Sequence, residues 1–318
     1  MAQIAVKVLR KRQEAQDIAS FELARPDGSA LPAFSAGSHV DVQVPGGPVR
    51  QYSLCNDAAE NHRYRIAVLR DAASRGGSSG MHDAVREGDT LLISEPRNHF
   101  PLVHAQRTVL FAGGIGVTPL LAMAQRLAAI EADFTLHYST RSPERTAFRD
   151  EIAASAYAHR VQFHFDDGDA AQKLDLAAAL GAPQPGTHIY VCGPAGYIDF
   201  VVQTAQGLGW PQDQVHLEYF GAQPQDTTGD GAFQVKIASS GAVYDVPADR
   251  TVVQALQAHG IEILTSCEQG VCGTCITRVL QGACDHRDLY FTDEEKAAND
   301  QFTPCCSRAK SPLLVLDL

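Results

Sequence analysis

The sequence predicts a multidomain protein in which an antiparallel β-barrel is followed by a parallel α/β sheet and then by a smaller α+β domain. Its 318 residues exceed what one hydrophobic core usually organises. The pattern of apolar residues changes near residue 104 and again near residue 221, and six of the eight cysteines lie after residue 266. We therefore expect three domains, at 1–103, 104–225 and 232–318.

Short alternating runs predict the barrel. Apolar and polar residues alternate over six stretches separated by Gly and Pro, which lie at 5–10, 18–23, 39–44, 51–54, 64–69 and 90–94. Such alternation is typical of strands that bury one face, and six of them indicate a small antiparallel barrel.

The middle of the chain alternates strand-like and helix-like stretches. Apolar runs that suit buried strands lie at 108–112, 134–139, 188–192 and 215–219. This order predicts a parallel sheet covered by helices. The next stretch, 221–232, has no large apolar residue and is rich in Gly, Asp and Thr, so it is predicted to be a linker.

The final segment begins with Phe233, Val235 and Ile237 alternating with polar residues, and a helix is predicted near 251–259. The formal net charge of −11 argues against nucleic acid or anionic membranes as partners, and it leaves a protein partner with a basic face. Apolar runs fall far short of the roughly 20 residues that span a bilayer, and no signal-peptide pattern is seen. We expect a cytoplasmic protein without a membrane segment, in which clustered cysteines bind metal or do chemistry.

The cysteines indicate an iron-sulfur cluster. Cys267, Cys272 and Cys275 have the C-x4-C-x2-C spacing of plant-type [2Fe-2S] proteins. Gly270 and Gly273 lie inside the loop, where positive φ lets backbone N–H groups turn towards the sulfurs. A zinc site is the alternative, but such sites usually pair two short ligand elements and this chain has one.

The fourth cluster ligand is open at this point, because Cys284, Cys305 and Cys306 all follow the loop. Each supplies a thiolate of the kind that holds such clusters. The spacing of the first three ligands does not decide among them.

Two stretches in the barrel region suit a phosphorylated aromatic cofactor. Arg50, Gln51, Tyr52 and Ser53 form an R-x-Y-S string, in which a guanidinium can hold phosphate and an aromatic ring can pack against a cofactor. Taken alone, the string is more typical of an ordinary barrel strand than of a cofactor site.

The second stretch precedes a short helix-like run that starts near Met81. It consists of Arg75, Gly76, Gly77 and Ser78, where glycines allow close backbone approach and hydroxyls donate. The alternative is a solvated turn with a serine cap.

A glycine-rich turn in the middle segment suits a pyrophosphate. Gly113, Gly114 and Gly116 precede Thr118 and Pro119, which we expect to be the N-cap and the first residue of a helix. The string differs from the G-x-G-x-x-G fingerprint, and a purely structural turn is the alternative.

A second motif, Cys192, Gly193 and Pro194, follows a later strand of the same region. With the four motifs in this order, the whole chain resembles the phthalate dioxygenase reductases and vanillate demethylase reductases, members of the ferredoxin reductase superfamily. The resemblance implies a flavin barrel, a nucleotide domain and a plant-type ferredoxin domain of the β-grasp type, in that order.

The resemblance also implies roles in the flavin site. Arg50 would bind the flavin phosphate, Tyr52 would contact the flavin, and Ser53 would lie near flavin N5. The Arg-Gly-Gly-Ser stretch from Arg75 matches the FMN-binding type, so FMN is expected before FAD. Family members place an aromatic residue over the flavin at the end of the last strand, where Phe220 is favoured over Tyr219.

On the nucleotide side, the resemblance places Cys192 near the hydride-donating carbon of the nicotinamide. For the adenosine ribose, Arg141 would attract a 2′-phosphate and Glu144 would repel it. The family points to NADH. In the last domain the family pattern Cys-x-Ser-Arg-Ala-Lys makes Cys305 the fourth cluster ligand, and leaves Cys284 and Cys306 as spare thiols.

The function implied is an NADH-dependent reductase that passes electrons through FMN and [2Fe-2S] to a Rieske-type oxygenase. The residues expected nearest the chemistry are Ser53, Thr118, Cys192 and Phe220. Two alternatives stay open: a general flavin or ferredoxin reductase with a diffusible acceptor, and a non-enzymatic redox sensor.

Overall fold

The computed structural model describes residues 3–72, 74, 76–221 and 227–318. The chain divides into two compact units, Met1–Phe220 and Gly221–Leu318. Within the described part of the chain, no helix is both long enough and apolar enough to cross a membrane.

The first unit begins with an antiparallel sheet of seven strands in the order β4-β3-β6-β1-β2-β5, with β7 paired to β3. The strands and the one helix of this part are β1 (Gln3–Ala15), β2 (Ile18–Ala24), β3 (Ser38–Gln43), β4 (Val49–Ser53), β5 (Tyr64–Leu69), α1 (Gly77–Asp83), β6 (Thr90–Ser94) and β7 (Arg97–Asn98). Just beyond β4, the Cys55 N–H donates to the Arg65 carbonyl on β5 at 2.8 Å, which brings the two edges together. The predicted antiparallel barrel is confirmed.

Strand β1 is longer than the predicted run at 5–10. Its second half is charged, yet Lys11 pairs with Phe21 and Ala15 pairs with Ile18 across the hairpin with β2. Pairing with a neighbour therefore extends the strand through residues that bury little side chain.

The second part of the first unit is a parallel sheet in the order β10-β9-β8-β11-β12. Its elements are β8 (Arg107–Gly113), α2 (Val117–Ala129), β9 (Asp133–Thr140), α3 (Arg149–Ala153), β10 (Val161–Phe165), α4 (Leu176–Leu180), β11 (Thr187–Gly193), α5 (Ala195–Gly207) and β12 (Val215–Tyr219). The predicted parallel α/β sheet is confirmed. The sequence patterns missed β10, a half-buried edge strand in which Gln162 and His164 interrupt the apolar residues.

The barrel and the parallel sheet share a hydrophobic core. Ile18, Cys55 and Ala67 of the barrel part lie in one buried cluster with Leu120 of α2 and Phe148, which precedes α3. Burial of apolar surface across the junction stabilises their relative position, because separating them would expose that surface to water.

The second unit is a mixed sheet in the order β14-β13-β19-β15-β17, with a small β16-β18 pair beside it. Its elements are β13 (Phe233–Ile237), β14 (Val243–Val246), α6 (Val252–Gln257), β15 (Thr277–Gln281), β16 (Cys284–Asp285), α7 (Asp293–Ala298), β17 (Gln301–Phe302), β18 (Arg308–Ala309) and β19 (Leu313–Leu316). The first and last strands, β13 and β19, run parallel, while β14 and β15 pair antiparallel to them. The mixed sheet with α6 packed on it is the α+β domain expected.

Both helices of the second unit begin at a capping box. Thr251 caps α6 and Thr292 caps α7, each reciprocated by the side chain three residues on, Gln254 or Glu295. Such boxes satisfy two backbone donors that a short helix leaves open. The predicted helix near 251–259 is confirmed as α6.

Part of the predicted linker is tied to the second unit. Residues 222–226 lie outside the described residues, but Asp230 accepts hydrogen bonds from Arg287 at 2.6 and 3.0 Å. The neighbouring Gly231 carbonyl accepts from Arg308 at 3.0 Å. Residues 230 and 231 are therefore part of the second unit, held by polar contacts that composition does not reveal.

Candidate functional site

The side chain of Arg50 lies across the glycine turn that precedes α1. A Cβ added to Gly77 would be 2.9 Å from Arg50 Cγ and 3.0 Å from its Nε, so only glycine leaves room for the guanidinium arm. Gly76 has φ +89°, which glycine adopts without strain. The structure thus brings together Arg50 and the predicted phosphate turn at Gly76, Gly77 and Ser78; Arg75 lies outside the described residues. A cation beside a glycine turn fits a phosphate group.

The remaining residues of the R-x-Y-S string differ in their surroundings. Tyr52 is half-buried and packs against the barrel core, and burial raises the pKa of its hydroxyl above the ordinary range. Ser53 is buried at the end of β4. Gln51 is in hydrogen-bond contact with His39, through Nε2 atoms 3.3 Å apart. A direct cofactor contact of Gln51 remains a prediction.

The two nucleotide motifs pack backbone against backbone at the carboxyl ends of β8 and β11. A Cβ on Gly116 would collide with the Cys192 carbonyl and lie 2.6 Å from the Gly193 nitrogen. A Cβ on Gly193 would lie 2.9 Å from Gly113 Cα. A Cβ on Gly113 would lie 3.0 Å from Pro194 Cδ. The two motifs therefore form one narrow backbone surface, which suits a pyrophosphate that approaches closely.

The predicted helix start at Thr118 is wrong. Helix α2 begins at Val117 with Gly116 as its N-cap, because a short 3₁₀ turn at Gly114–Gly116 leads directly into it. Thr118 lies in the first turn, where its hydroxyl donates to the Ile115 carbonyl at 3.0 Å. Pro119 is the third residue of the helix and not the first.

Cys192 is buried beside a carboxyl group that the sequence patterns did not single out. Burial raises the pKa of the Cys192 thiol well above its usual value, and the nearby Glu218 raises it further. Glu218 is opposite Cys192 in the pairing of β11 with β12. A neutral thiol of this kind suits shape and positioning and not nucleophilic attack.

Glu218 is itself held in an unusual environment. The residue is partly exposed, but its carboxyl Oε2 is enclosed and has no hydrogen-bond partner among the described residues. Burial raises the pKa of Glu218 to about 8. An acidic residue inside the last apolar strand run was the available sequence signal, and only the register with Cys192 shows its place in the site.

The two aromatic residues at the end of β12 differ, because Tyr219 is held by a hydrogen bond and Phe220 is exposed. The Tyr219 hydroxyl donates to Asp199 Oδ1 at 3.0 Å, and burial and this contact raise the pKa of Tyr219 to about 12. Phe220 is 42% exposed. Because Tyr219 is held by the hydrogen bond to Asp199, Phe220 is the aromatic residue whose side chain is accessible to a cofactor.

The expected ribose region lies where β9 and β10 end. Arg141 is exposed, and its carbonyl accepts from the Asp167 N–H at 3.1 Å, while the Asp166 N–H donates to the Thr140 carbonyl at 3.0 Å. Asp166 and Asp167 are therefore backbone neighbours of Thr140 and Arg141. Glu144 is exposed, and a hydrogen bond from Ser142 lowers the pKa of its carboxyl. The sequence patterns missed Asp166 and Asp167 because the strand before them was missed.

The four cysteines proposed as cluster ligands meet in the second unit. Cys272 and Cys305 lie within hydrogen-bonding reach of the Cys267 sulfur, and these contacts lower the pKa of the Cys267 thiol. Cys305 is also within hydrogen-bonding reach of Cys275. The Gln269 N–H donates to Cys267 Sγ at 3.3 Å, as expected for a loop that turns its amides inward.

The loop depends on its glycines. Gly270 and Gly273 have φ values of +73° and +68°, as expected. A Cβ on Gly270 would collide with Cys306 Sγ, and one on Gly273 would collide with the Tyr290 ring. Both positions therefore exclude any side chain.

The four thiols contact one another in the order Cys272, Cys267, Cys305 and Cys275. In the described part of the chain, no three or more His, Cys, Asp or Glu side chains are arranged to hold a single metal ion. The assignment of the loop to an iron-sulfur cluster rests on its thiolate donor set, its inward amides and its glycines. Cys284 belongs to the hydrophobic core, where burial raises its pKa to about 11. Cys306 has Thr303 Oγ1 at 3.2 Å from its sulfur.

Comparisons with known proteins cover the whole chain. Residues 235–310 match the 2Fe-2S iron-sulfur cluster binding domain, and residues 97–215 match the N-terminal domain of dimethylamine monooxygenase subunit DmmA-like proteins. The chain is 55% identical to a vanillate O-demethylase oxidoreductase of Pseudomonas putida, over 98% of each chain. It is 43% identical to a phthalate dioxygenase reductase of Burkholderia cepacia, over 99% of this chain and 97% of that one.

A solved phthalate dioxygenase reductase has the same fold. It is described as a modular structure for electron transfer from pyridine nucleotides to [2Fe-2S], and it superposes with a TM-score of 0.79 at 42% identity. The superposition covers 100% of this chain and 98% of that one. The three-part architecture is thereby confirmed.

Replacing one ligand of the cysteine loop should remove the cluster and leave the flavin. We expect Cys275→Ser to abolish the visible absorption and electron paramagnetic resonance signal of a [2Fe-2S] cluster, because a serine oxygen is a poor substitute for thiolate. Iron analysis and absorption spectra measure both. Cys284→Ser is the matched control and should keep the cluster; an intact cluster in Cys275→Ser would contradict the assignment.

Glu218 should make stability depend on pH. Its pKa is raised from 4.5 to about 8 by burial, so its stabilising neutral form is fully present below 4.5 and is lost as pH rises through 8. We expect Glu218→Gln to melt close to the parent protein at pH 5 and above it at pH 9. Thermal midpoints across this range measure the effect, with exposed Glu144→Gln as the control. If the thermal midpoints of the parent and of Glu218→Gln change with pH in the same way, the burial of the Glu218 carboxyl would be contradicted.

Proposed function

The chain belongs to the family of the vanillate O-demethylase oxidoreductases and phthalate dioxygenase reductases, and from this we propose that it transfers electrons from NADH through FMN and a [2Fe-2S] cluster to a separate Rieske-type oxygenase. The observation that carries the proposal is that one chain joins a barrel with Arg50 beside a glycine turn, a parallel sheet with two closely packed glycine motifs at one edge, and a four-cysteine loop. Its relatives, aligned over nearly their full length, are oxygenase reductase components.

FMN is the flavin we propose. The contact between Arg50 and Gly77 gives the barrel one compact cationic position for a terminal phosphate. When bound, the flavin accepts hydride and releases electrons singly. The chain's own part is to hold the phosphate with Arg50, to pack against the cofactor with Tyr52, and to offer the Ser53 hydroxyl beside it. Chromatography of the flavin released by heat distinguishes FMN from FAD.

NADH is the proposed electron donor. The narrow backbone surface around Gly113, Gly116 and Gly193 lets the pyrophosphate approach the carboxyl ends of the strands, the usual ligand edge of such sheets. Asp166 and Asp167 follow beside Arg141, so a 2′-phosphate there would meet two carboxylates as well as one guanidinium. This balance favours NADH over NADPH.

Two residues of the site are proposed to position the nicotinamide. The buried, neutral Cys192 would supply shape next to the reacting carbon, and the exposed ring of Phe220 would cover the flavin. Tyr219 stays in place through its Asp199 contact. None of these groups needs to form a bond, because hydride transfer depends on orientation and separation.

The partner is proposed to be an oxygenase that takes electrons from the second unit. The net charge of −11 suits a partner with a basic face. A cytoplasmic location is proposed with it, because thiol ligands stay reduced there. A reductase with a diffusible acceptor would not need the cluster for its main turnover, and a redox sensor would not turn over at all.

Removing the second unit should separate hydride entry from single-electron exit. A shortened protein ending at Phe220 matches the boundary of the first unit, so we expect it to fold and keep its flavin. It should reduce ferricyanide with NADH at a rate near that of the full chain, because entry uses only the first unit. It should lose most cytochrome c reduction and all support of an oxygenase.

Steady-state assays with NADH and each acceptor measure this, and Cys275→Ser in the full chain is the matched control, since it should lose the same activities while keeping the second unit. Cytochrome c reduction at the full rate by both proteins would contradict the cluster as exit route. Failure of the full chain to oxidise NADH would contradict the proposed function itself.

A further inference from the structure

A charged pair joins the barrel to the nucleotide part of the first unit. Arg65 lies on β5 and Glu151 lies on α3. Arg65 Nη1 donates to Glu151 Oε2 at 2.6 Å and Arg65 Nη2 donates to Oε1 at 2.8 Å. Two parallel hydrogen bonds between a guanidinium and a carboxylate fix an orientation as well as a distance.

The pair is shielded on the barrel side. Arg65 is 8% exposed, and its guanidinium carbon lies 4.9 Å from the centre of the Phe148 ring. Its Nη2 also donates to the Cys55 carbonyl at 3.2 Å. A guanidinium buried to this extent is costly without a partner, so the two parts of the unit are stable together only in the arrangement that keeps Glu151 in place.

The barrel end of the pair is tied to the strand that carries the flavin motif. The Arg65 N–H donates to Asn56 Oδ1 at 2.8 Å, and its carbonyl accepts from the Cys55 N–H at 2.8 Å. Cys55 lies two residues beyond Ser53, where β4 ends. A displacement of Arg65 is therefore passed through the backbone to the end of β4.

The other end of the pair is tied to the nucleotide edge. Phe148 precedes α3 with φ +58° and is 2% exposed, so its position is fixed by its packing. It lies in the same buried cluster as Val117 and Leu120 of α2 and Cys192 of β11. Glu151 thus moves with the elements that form the glycine turn and the Cys-Gly-Pro motif.

We propose that Arg65 and Glu151 form a positioning pair that holds the flavin strand and the nucleotide edge at the separation required for hydride transfer. The inference rests on the proposed function and adds to it two residues at the junction of the barrel and the parallel sheet. Reacting atoms must approach to about 3–3.5 Å, and a misplacement of about 1 Å costs roughly a hundredfold in rate. The pair acts on this separation through β4 on one side and α2 on the other.

The test is Glu151→Gln in the full-length protein loaded with its flavin and cluster. Glutamine keeps the shape but removes the charge and one acceptor, so the bidentate contact is lost. We expect the limiting rate of flavin reduction at saturating NADH, measured by stopped flow, to fall about 10- to 100-fold. The NADH dissociation constant and the flavin content should stay within about twofold of the parent.

Asp17→Asn is the matched control, because Asp17 pairs with Arg145 across the same junction at 3.6 Å with both side chains exposed. Exposed pairs contribute little, so its limiting rate should stay within about twofold of the parent. Glu151→Asp keeps the charge on a shorter arm and should give an intermediate rate. If Glu151→Gln does not fold, the limiting rate of Glu151→Asp provides the test.

A limiting rate in Glu151→Gln equal to that of the parent would overturn the proposal. So would an equal loss in Asp17→Asn, or a loss that follows flavin release, since either would mean general destabilisation. These outcomes leave the proposed function standing, because the parent protein would still reduce its flavin with NADH. Absence of that reaction in the parent would contradict the function and not the pair alone.

Discussion

The first unit depends on two backbones that pass each other without side chains between them. The glycine turn after β8 meets the Cys192–Gly193 segment after β11 so closely that Gly116 and Gly193 admit no Cβ. Close approach at this point places Cys192 at the carboxyl edge of the sheet, and in the proposed function it leaves that edge open to the pyrophosphate of NADH. The neighbouring strand then brings Glu218 opposite Cys192, and burial raises the pKa of both groups.

The barrel also depends on a glycine that leaves room for a neighbouring residue. Gly77 makes room for the arm of Arg50, and the strand that carries Arg50 ends beside β5. The barrel and the sheet then share apolar core residues, so the flavin strand and the nucleotide edge belong to one packed body. In the second unit the glycines of the cysteine loop leave room for the Cys306 sulfur and the Tyr290 ring. The four sulfurs of the proposed ligands lie close together there. Two-electron entry and one-electron exit are in this way assigned to separately folded units of one chain.

Sequence reasoning succeeded where the information is local. Alternation gave the barrel strands, apolar runs gave most of the parallel sheet, and cysteine spacing gave the loop. It failed where the cause is a distant partner: β1 runs on past residue 10 because β2 pairs with it, and Asp230 belongs to the second unit because Arg287 binds it. The start of α2 was misplaced at Thr118 because no local sequence pattern indicates the 3₁₀ turn that precedes this helix. The contact between Arg65 and Glu151 joins residues 86 apart in the chain, which no pattern in one sequence relates.

Electrons should reach the cluster only through the flavin. The order of the two reductions can be measured by rapid mixing of the full-length protein with NADH, with absorption reporting on the flavin and freeze-quenched electron paramagnetic resonance reporting on the cluster. We expect flavin absorption to fall first and the cluster signal to rise afterwards, and we expect protein stripped of flavin to show no cluster reduction until FMN is restored. A cluster signal that rises before the flavin changes, or that rises at the same rate in flavin-free protein, would contradict it.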